Sequence, residues 1–247
     1  MQQESKIRLN VPATQLPIRM LSRADLEEAA RKRVLLIDKE FTRGFEFLGK
    51  YPKSVTFFGS ARLGEHTKDY QHIRSIAKRV VEDLGYAVTT GGGPGLMEAA
   101  NRGAYEAGGN SLGITIELPR EQSTNPYVTD FIDFFYFFSR KVCMTYSAEA
   151  FVYGAGGFGT FDELFEILTL IQTKKIPRVP VILTGSKYWK PIEAVIKKQL
   201  LDSYRTINAE DLNLYTITDD VDEIINIIKQ SPAGNGLPYH YNTPDIQ

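Results

Sequence analysis

Residues 149–166 read Glu-Ala-Phe-Val-Tyr-Gly-Ala-Gly-Gly-Phe-Gly-Thr-Phe-Asp-Glu-Leu-Phe-Glu, and they hold the residue types best suited to chemistry in this chain. A short apolar run over 150–153 gives way to glycines at 154, 156, 157 and 159. Phe161, Leu164, Phe165, Leu168 and Ile171 then fall on one helical stripe, which predicts an amphipathic helix from about Thr160. A strand, a glycine turn and a helix N-terminus in that order make an anion site: backbone approaches the ligand unobstructed, and the first helical N–H groups point at it. Glu163 lies in the first turn of that helix, beside whatever is bound. Its spacing from Thr160 also fits a capping box, and Asp162 fits the acidic preference of a helix start, so spacing alone favours a structural role for both.

A second site of this kind precedes the first. Residues 86–90 read as a strand, Gly91-Gly92-Gly93-Pro94-Gly95 as a loop and residues 96–104 as a helix. Two such loops at strand ends predict one crevice lined from both sides. Gly154-Ala155-Gly156-Gly157-Phe158-Gly159 matches the G-x-G-x-x-G pattern, but the next strand ends at Thr184-Gly185 with no carboxylate for a ribose. Glu117 follows Gly95 at roughly the required distance, which keeps an NAD(P)-dependent oxidoreductase as a secondary reading. Neither loop carries the Gly-Lys-Ser/Thr of a P-loop. Arg140-Lys141 reads by default as solvated charge at a helix start, although a guanidinium near such a loop can grip phosphate or carboxylate in bidentate fashion.

Other chemistries find little support. His66, His72 and His240 are too few and scattered for a metal cluster, Cys143 has no neighbouring histidine, and no nucleophile–His–acid set can be assembled. The chain has 247 residues with formal net charge −1, so no global pull toward nucleic acid or membrane exists. A single cysteine excludes intramolecular disulfides and suits a reducing compartment. No signal-peptide core follows the N-terminus, and the most apolar run, 131–138, carries Asp133 and is far shorter than the ~20 residues of a membrane span. These features lead to the expectation of a soluble, cytoplasmic protein. The aromatics of 131–138 read as a buried strand.

The elements that must position these groups alternate. Residues 1–20 look like an arm, and Ser22 and Asp25 cap a helix running to about Leu48, with Leu26, Ala30, Leu36 and Ile37 among its apolar positions. Strands are predicted at 55–58, 86–90, 112–116, 131–137, 151–153, 179–183 and 214–217, and helices at 70–84, 96–104, 140–147, 161–173, 191–201 and 221–229. This alternation predicts an α/β fold: a Rossmann-like, doubly wound, mostly parallel sheet flanked by helices, with an N-terminal helical extension. The expected organisation is an arm and helix over 1–50, a nucleotide-binding catalytic domain over 51–230 and an irregular tail over 231–247.

Taken together, the motifs resemble those of the Lonely Guy (LOG) family of nucleotide phosphoribohydrolases, closest to its longer-chain members. Gly91 to Met97 is similar to the family's G-G-G-x-x-G-L-M-like loop, Ser139 to Met144 to its arginine-lysine segment, and Ala155 to Glu163 to its P-G-G-x-G-T-x-E-E motif. Gly59-Ser60-Ala61-Arg62 resembles the opening loop, and the likeness spans about 53–230. The resemblance implies that Arg140 and Glu163 are the catalytic pair. Gly156, Gly157, Gly159 and Thr160 then form the 5′-phosphate cradle, and Phe158, Ser60, Gly92, Gly93, Gly95, Met97, Glu98 and Lys141 complete the nucleotide-binding set. It further implies hydrolysis of the N-glycosidic bond of a nucleoside 5′-monophosphate, with a cytokinin as the base in plants and some microbes. Arg140 is expected to orient Glu163 and keep it ionised at neutral pH. No cofactor or metal is implied, and the partners are a nucleotide substrate and further copies of the chain, as a homodimer or larger homo-oligomer. A lysine decarboxylase name has been attached to the family, but a pyridoxal-phosphate lysine often follows a histidine, and here Thr67, Ile73 and Tyr241 follow the three histidines. Ala155 stands in place of the motif proline, Asp162 in place of its first glutamate, and Glu98 where shorter members often have glycine. Molybdenum-cofactor carriers share the fold and loops without hydrolysing their ligand, and give the rival reading of a non-catalytic binding protein.

Overall fold

A computed structural model describes residues 22–117, 124–146 and 148–231. The predicted arm over 1–20 and most of the tail from 231 lie outside the described residues. The chain divides into two units, Met1–Asp38 and Lys39–Gln247, and helix α1 (Arg23–Gly49) runs through the boundary. In the first unit Ser22 and Asp25 form the expected reciprocal cap, the Ser22 hydroxyl accepting from the Asp25 amide at 3.2 Å and the Asp25 carboxylate from the Ser22 amide at 2.9 Å. Leu26 and Leu36 are exposed there.

The second unit is built on a seven-stranded sheet whose described pairings are all parallel. In chain order its elements are β1 (Ser54–Phe58), α2 (Lys68–Leu84), β2 (Ala87–Thr90), α3 (Leu96–Glu106), β3 (Ser111–Ile116), β4 (Asp130–Phe134), α4 (Phe137–Tyr146), β5 (Ala148–Tyr153), α5 (Phe158–Gln172), β6 (Val181–Leu183), α6 (Ser186–Ile196), β7 (Thr216–Ile217) and α7 (Val221–Lys229). The strand order is β4-β3-β2-β1-β5-β6-β7. Successive crossovers therefore step outward from β1 through β4, then restart at β5 and step the other way. The gap between β1 and β5 is the topological switch point, where the loops leaving two neighbouring strands diverge and open a crevice at their carboxyl ends.

Central strands are buried on both faces, as a parallel sheet covered by helices requires: all six residues of β5 are buried. Ile73, Ile76 and Val80 of α2, Ala99 and Ala100 of α3 and Ile224 and Ile228 of α7 pack on one face. On the other face Leu164, Ile167 and Ile171 of α5 and Trp189 of α6 meet Phe151, Tyr153 and Val181, while Cys143 and Met144 of α4 meet Phe47, Leu48, Leu112 and Phe134.

Two expectations are corrected. The strand expected over 131–137 stops at Phe134, and Phe137 already begins α4. Its aromatics are not a buried run either: Phe131, Phe135, Phe137 and Phe138 are exposed, because β4 is the sheet's edge and only Ile132 and Phe134 face inward. The helix predicted from 191 begins instead at Ser186, with Pro191 in its sixth position, and continues into a wider π-type turn over Lys197–Ser203. Among the described residues no helix is long and apolar enough to cross a membrane.

Candidate active site

A cleft of ≈ 1160 Å³ opens at the switch point. The loop after β1 (Gly59 to Leu63), Gly91 and Met97 after β2, Phe137 and Arg140 of α4, Ala155 to Glu163 after β5, and Gly185, Lys187 and Tyr188 after β6 line it. Both predicted catalytic residues thus face one cavity. Ser60 ties the loops together, its amide donating to the Ala155 carbonyl and its own carbonyl accepting from the Leu96 amide, each at 2.9 Å.

The glycine loop after β5 differs locally from expectation, and the difference bears on Glu163. Helix α5 starts at Phe158 with Gly157 as N-cap and no side-chain cap, so the Thr160–Glu163 capping box does not form. Thr160 is buried against Gly156, where any Cβ would collide with its side chain. A Cβ on Gly157 or Gly159 would meet no heavy atom within 4 Å. The space beside both α-carbons is open, and Phe158 between them is 95% exposed. Sterics inside the protein explain Gly156, whereas Gly157 and Gly159 leave space for a ligand. With the cap unmade, Glu163 is a half-buried carboxylate lining the cleft with no helix-starting duty.

Arg140 is held from behind. Its Nε donates to the Ile114 carbonyl at 2.7 Å, and a Cβ on Gly91 would come within 2.5 Å of its Nη2, so Gly91 must be glycine for the guanidinium to lie across the loop. The start of α4 is anchored by Glu40 of α1, which accepts from the Phe135 and Tyr136 amides and the Ser139 hydroxyl. The Gly91–Gly93 loop is pinned by a buried polar network. Asn125 donates to the Gly92 and Gly93 carbonyls and to Asn101 Oδ1, which also accepts from Thr90. Sequence reading misses Glu40, Asn101 and Asn125, because each works through tertiary partners far along the chain.

Charges in the cleft are interdependent. Burial pushes the Glu163 carboxyl up to about 7; Lys141 and Arg140 pull it down, while Glu166 and Asp162 oppose them. Arg140 lowers the Glu163 pKa as expected, but the expectation that it keeps the carboxylate ionised at neutral pH is corrected to partial ionisation, since burial outweighs the cations. No hydrogen bond joins the two, and Arg140 acts on Glu163 through its field alone, its own pKa lowered by burial. A raised carboxylate costs the fold stability as pH climbs from the ordinary range through about 7, because the folded state binds the extra proton. Glu163→Gln is expected to be more stable than the wild type at pH 8 by about 1–2 kcal/mol after discounting for solvent, and equal to it near pH 4. Denaturant melts at both pH values check this.

The remaining predicted residues divide. Gly156, Gly157, Phe158, Gly159, Thr160, Ser60 and Met97 line the cleft. Gly92, Gly93, Gly95, Glu98 and Lys141 do not. Gly92 and Gly93 are buried with their carbonyls taken by Asn125, and Gly95, at φ +72°, packs its α-carbon on the Ser60–Ala61 backbone. Glu98 accepts from the Tyr70 hydroxyl at 2.9 Å, and Lys141 pairs with Asp162 at 2.9 Å and with Glu166. Glu117, the acid the NAD reading needs, is exposed beyond β3 and outside the cleft lining. Unforeseen wall residues are Phe137, Asp69, Lys187 and Tyr188; the Tyr188 hydroxyl donates to the Gly156 carbonyl at 2.6 Å and fixes the glycine loop after β5. Sequence reading leaves all four outside the predicted helices, with Phe137 ending a strand and Asp69, Lys187 and Tyr188 in connections, whereas each lies in the first turn of a helix.

A family profile described as "possible lysine decarboxylase", the LOG family, matches residues 97–228, just over half of the chain. The chain belongs to the LOG family. Among LOG-family relatives, the cytokinin riboside 5′-monophosphate phosphoribohydrolase of Rhodococcoides fascians is 27% identical over 159 residues, covering 63% of this chain and 79% of that protein. The pyrimidine/purine nucleotide 5′-monophosphate nucleosidase of Escherichia coli K12 is 25% identical over 229 residues, 81% of this chain and 48% of that protein. The molybdenum cofactor carrier protein of Chlamydomonas reinhardtii superposes with a TM-score of 0.53 at 23% identity, over 72% of this chain and 96% of that one, a likeness of fold alone. The decarboxylase wording of this LOG-family profile does not fit the cleft: pyridoxal phosphate needs a lysine to hold it, and the cleft-lining lysine among the described residues, Lys187, stands exposed.

Proposed function

We propose that this protein hydrolyses the N-glycosidic bond of a nucleoside 5′-monophosphate, of the AMP or cytokinin-ribotide type, releasing free base and ribose 5-phosphate. The carrying observation is the joint placement of an uncapped, open helix N-terminus and the Glu163 carboxylate on one cleft wall. The 5′-phosphate accepts from the amides of Gly157 to Thr160, with the α5 dipole behind it. Glu163 sits one helical turn further in, beside the anomeric carbon. As the base leaves, positive charge grows on C1′ and the ring oxygen; an ionised Glu163 stabilises it and takes a proton from the attacking water. A carboxylate poised at about 7 is matched to proton transfer at neutral pH. Arg140, half-buried in the cleft wall, fixes the ribose phosphate and lowers the Glu163 pKa from where burial alone would set it. Both named relatives carry nucleoside-monophosphate-cleaving names, which supports the reading. The test is release of ribose 5-phosphate from a panel of nucleoside 5′-monophosphates; absence of release from every member, with intact binding, favours the carrier reading.

The same reading includes self-association. Phe131, Phe135, Phe138, Val142 and Tyr146 make an exposed apolar face on β4 and α4, adjoining Phe137 at the cleft edge. Such a face fits a second copy of the chain, and a two-fold contact there would bring two clefts near one interface. Light scattering is expected to give at least a dimer, and Phe135→Glu with Phe138→Glu to give monomer. A wild-type monomer at high concentration contradicts the association.

A further inference from the structure

Arg140 and Glu163 share no hydrogen bond, yet the residues beside them in the chain are joined. Lys141 Nζ lies 2.9 Å from Asp162 Oδ2 and also pairs with Glu166 Oε2. Lys141 follows Arg140 on α4; Asp162 precedes Glu163 on α5, and Glu166 stands nearly one turn beyond it. The bridge thus links the two helices at the level of the catalytic pair. Exposed ion pairs contribute little, but the Lys141 side chain is only 14% exposed, so solvent and salt screen this one less.

Apolar packing leaves the spacing of α4 and α5 open. Cys143 and Met144 seat α4 in one cluster, and Leu164, Ile167 and Ile171 seat α5 in another. Between the helices lies a hollow of ≈ 150 Å³, walled by Val142, Thr145 and Tyr146 of α4 and by Glu166 and Leu170 of α5. Side chains that front a void give up the contacts that would fix their separation. Glu166 both walls this hollow and takes the Lys141 ammonium, so the ion bridge stands at its rim. On the sheet side the Tyr153 hydroxyl donates to the Glu163 carbonyl at 3.2 Å, which holds the Glu163 backbone against β5.

Charge leads to the same residue. Facing the Glu163 carboxyl are Lys141 and Arg140 from α4, Asp162 and Glu166 from its own helix, and the buried Tyr153 phenol from β5. Asp162, Glu163 and Glu166 repel one another along this stretch of α5, and Lys141 pairs with the outer two. Building on the proposed hydrolysis, we propose that Lys141 is a positioning residue of the reaction: its bridge from α4 to Asp162 and Glu166 sets the separation of Arg140 and Glu163 and offsets the two acids that flank Glu163. It lies outside the cleft lining and acts through its neighbours rather than on the substrate.

Carbon NMR of isotope-labelled glutamate carboxyls reads Glu163 without any substrate, its signal assigned by its loss in Glu163→Gln. In the wild type it is expected to titrate at about 7. Lys141→Met should move that midpoint upward by about one unit and lower the high-pH plateau of kcat on AMP by about 10–10²-fold, with KM within about threefold. Lys141→Arg keeps a cation with several donors and should restore both readings. Because Lys141→Met strips half-buried Glu166 of its partner, Lys141→Met combined with Glu166→Gln serves as the fold-preserving variant, which circular dichroism verifies. There the midpoint should return toward the wild-type value while kcat stays low, since the bridge to Asp162 is still missing. An unmoved midpoint, or an unchanged kcat per folded molecule, overturns the proposal. So does a raised KM at unchanged kcat, which makes Lys141 a ligand contact. If the wild type cleaves no nucleotide, the proposed hydrolysis fails, and the NMR midpoints alone still decide whether Lys141 sets the charge of Glu163.

Discussion

Glu163→Gln is expected to lose base release by about 10³-fold or more while binding AMP as tightly as the wild type or slightly tighter. The amide keeps the size and packing of the carboxyl group but cannot carry the negative charge that faces the developing oxocarbenium ion, nor accept the proton of water. Binding persists because the phosphate is held by backbone amides at Gly157 to Thr160, which the substitution leaves alone. Affinity can rise because a partly ionised carboxylate near a phosphate dianion is repulsive, and the amide removes that repulsion. In the wild type the active form is the ionised one, so kcat/KM should climb with pH through about 7, and the climb should vanish in the variant's residual rate. Steady-state assays across pH 5–9 with calorimetric binding test both statements. A variant that turns over like the wild type ends the catalytic role of Glu163.

Arg140→Ala is expected to cost about 10²–10³-fold in kcat/KM, the scale of losing one preorganised electrostatic partner. Removing the cation also leaves burial, Glu166 and Asp162 less opposed at Glu163, so the rising limb of the pH profile should move upward by about one unit. That displacement separates a working charge from a merely structural side chain. Arg140→Lys should not restore activity. A single ammonium cannot both bond the Ile114 carbonyl and serve a ligand, whereas the guanidinium spends Nε on that carbonyl and keeps two further nitrogens for the second task. An Arg140→Ala enzyme with an unmoved pH profile contradicts the assignment.

Much of this is readable from residue order, and the parts that are not share a cause. Strand and helix alternation and the two glycine loops at one crevice follow from local pattern plus the switch-point rule, which needs no coordinates, whereas the meeting of Arg140 with Glu163 in one cavity is implied only by the family resemblance. The Thr160–Glu163 spacing points to a capping box, yet the helix begins two residues earlier at Phe158, because Thr160 is drawn in against Gly156. Apolar content suggests a buried strand over 131–137, but edge position is a property of the whole sheet, and it leaves Phe131 and Phe135 in the open. Lys141 reads as a companion to Arg140 in binding; one residue's rotation on α4 turns it toward Asp162 and Glu166 instead. Asn125 and Glu40 give no local sign at all, since their partners are about as distant as Gly92 and Ser139.

The most direct test is a crystal structure of Glu163→Gln soaked with AMP. The 5′-phosphate is expected on the Gly157 to Thr160 amides, with the substituted side chain at position 163 about 3–3.5 Å from C1′ and the Arg140 Nη groups on the ribose phosphate. A phosphate bound elsewhere in the cleft, or a C1′ turned away from residue 163, would contradict the proposed chemistry.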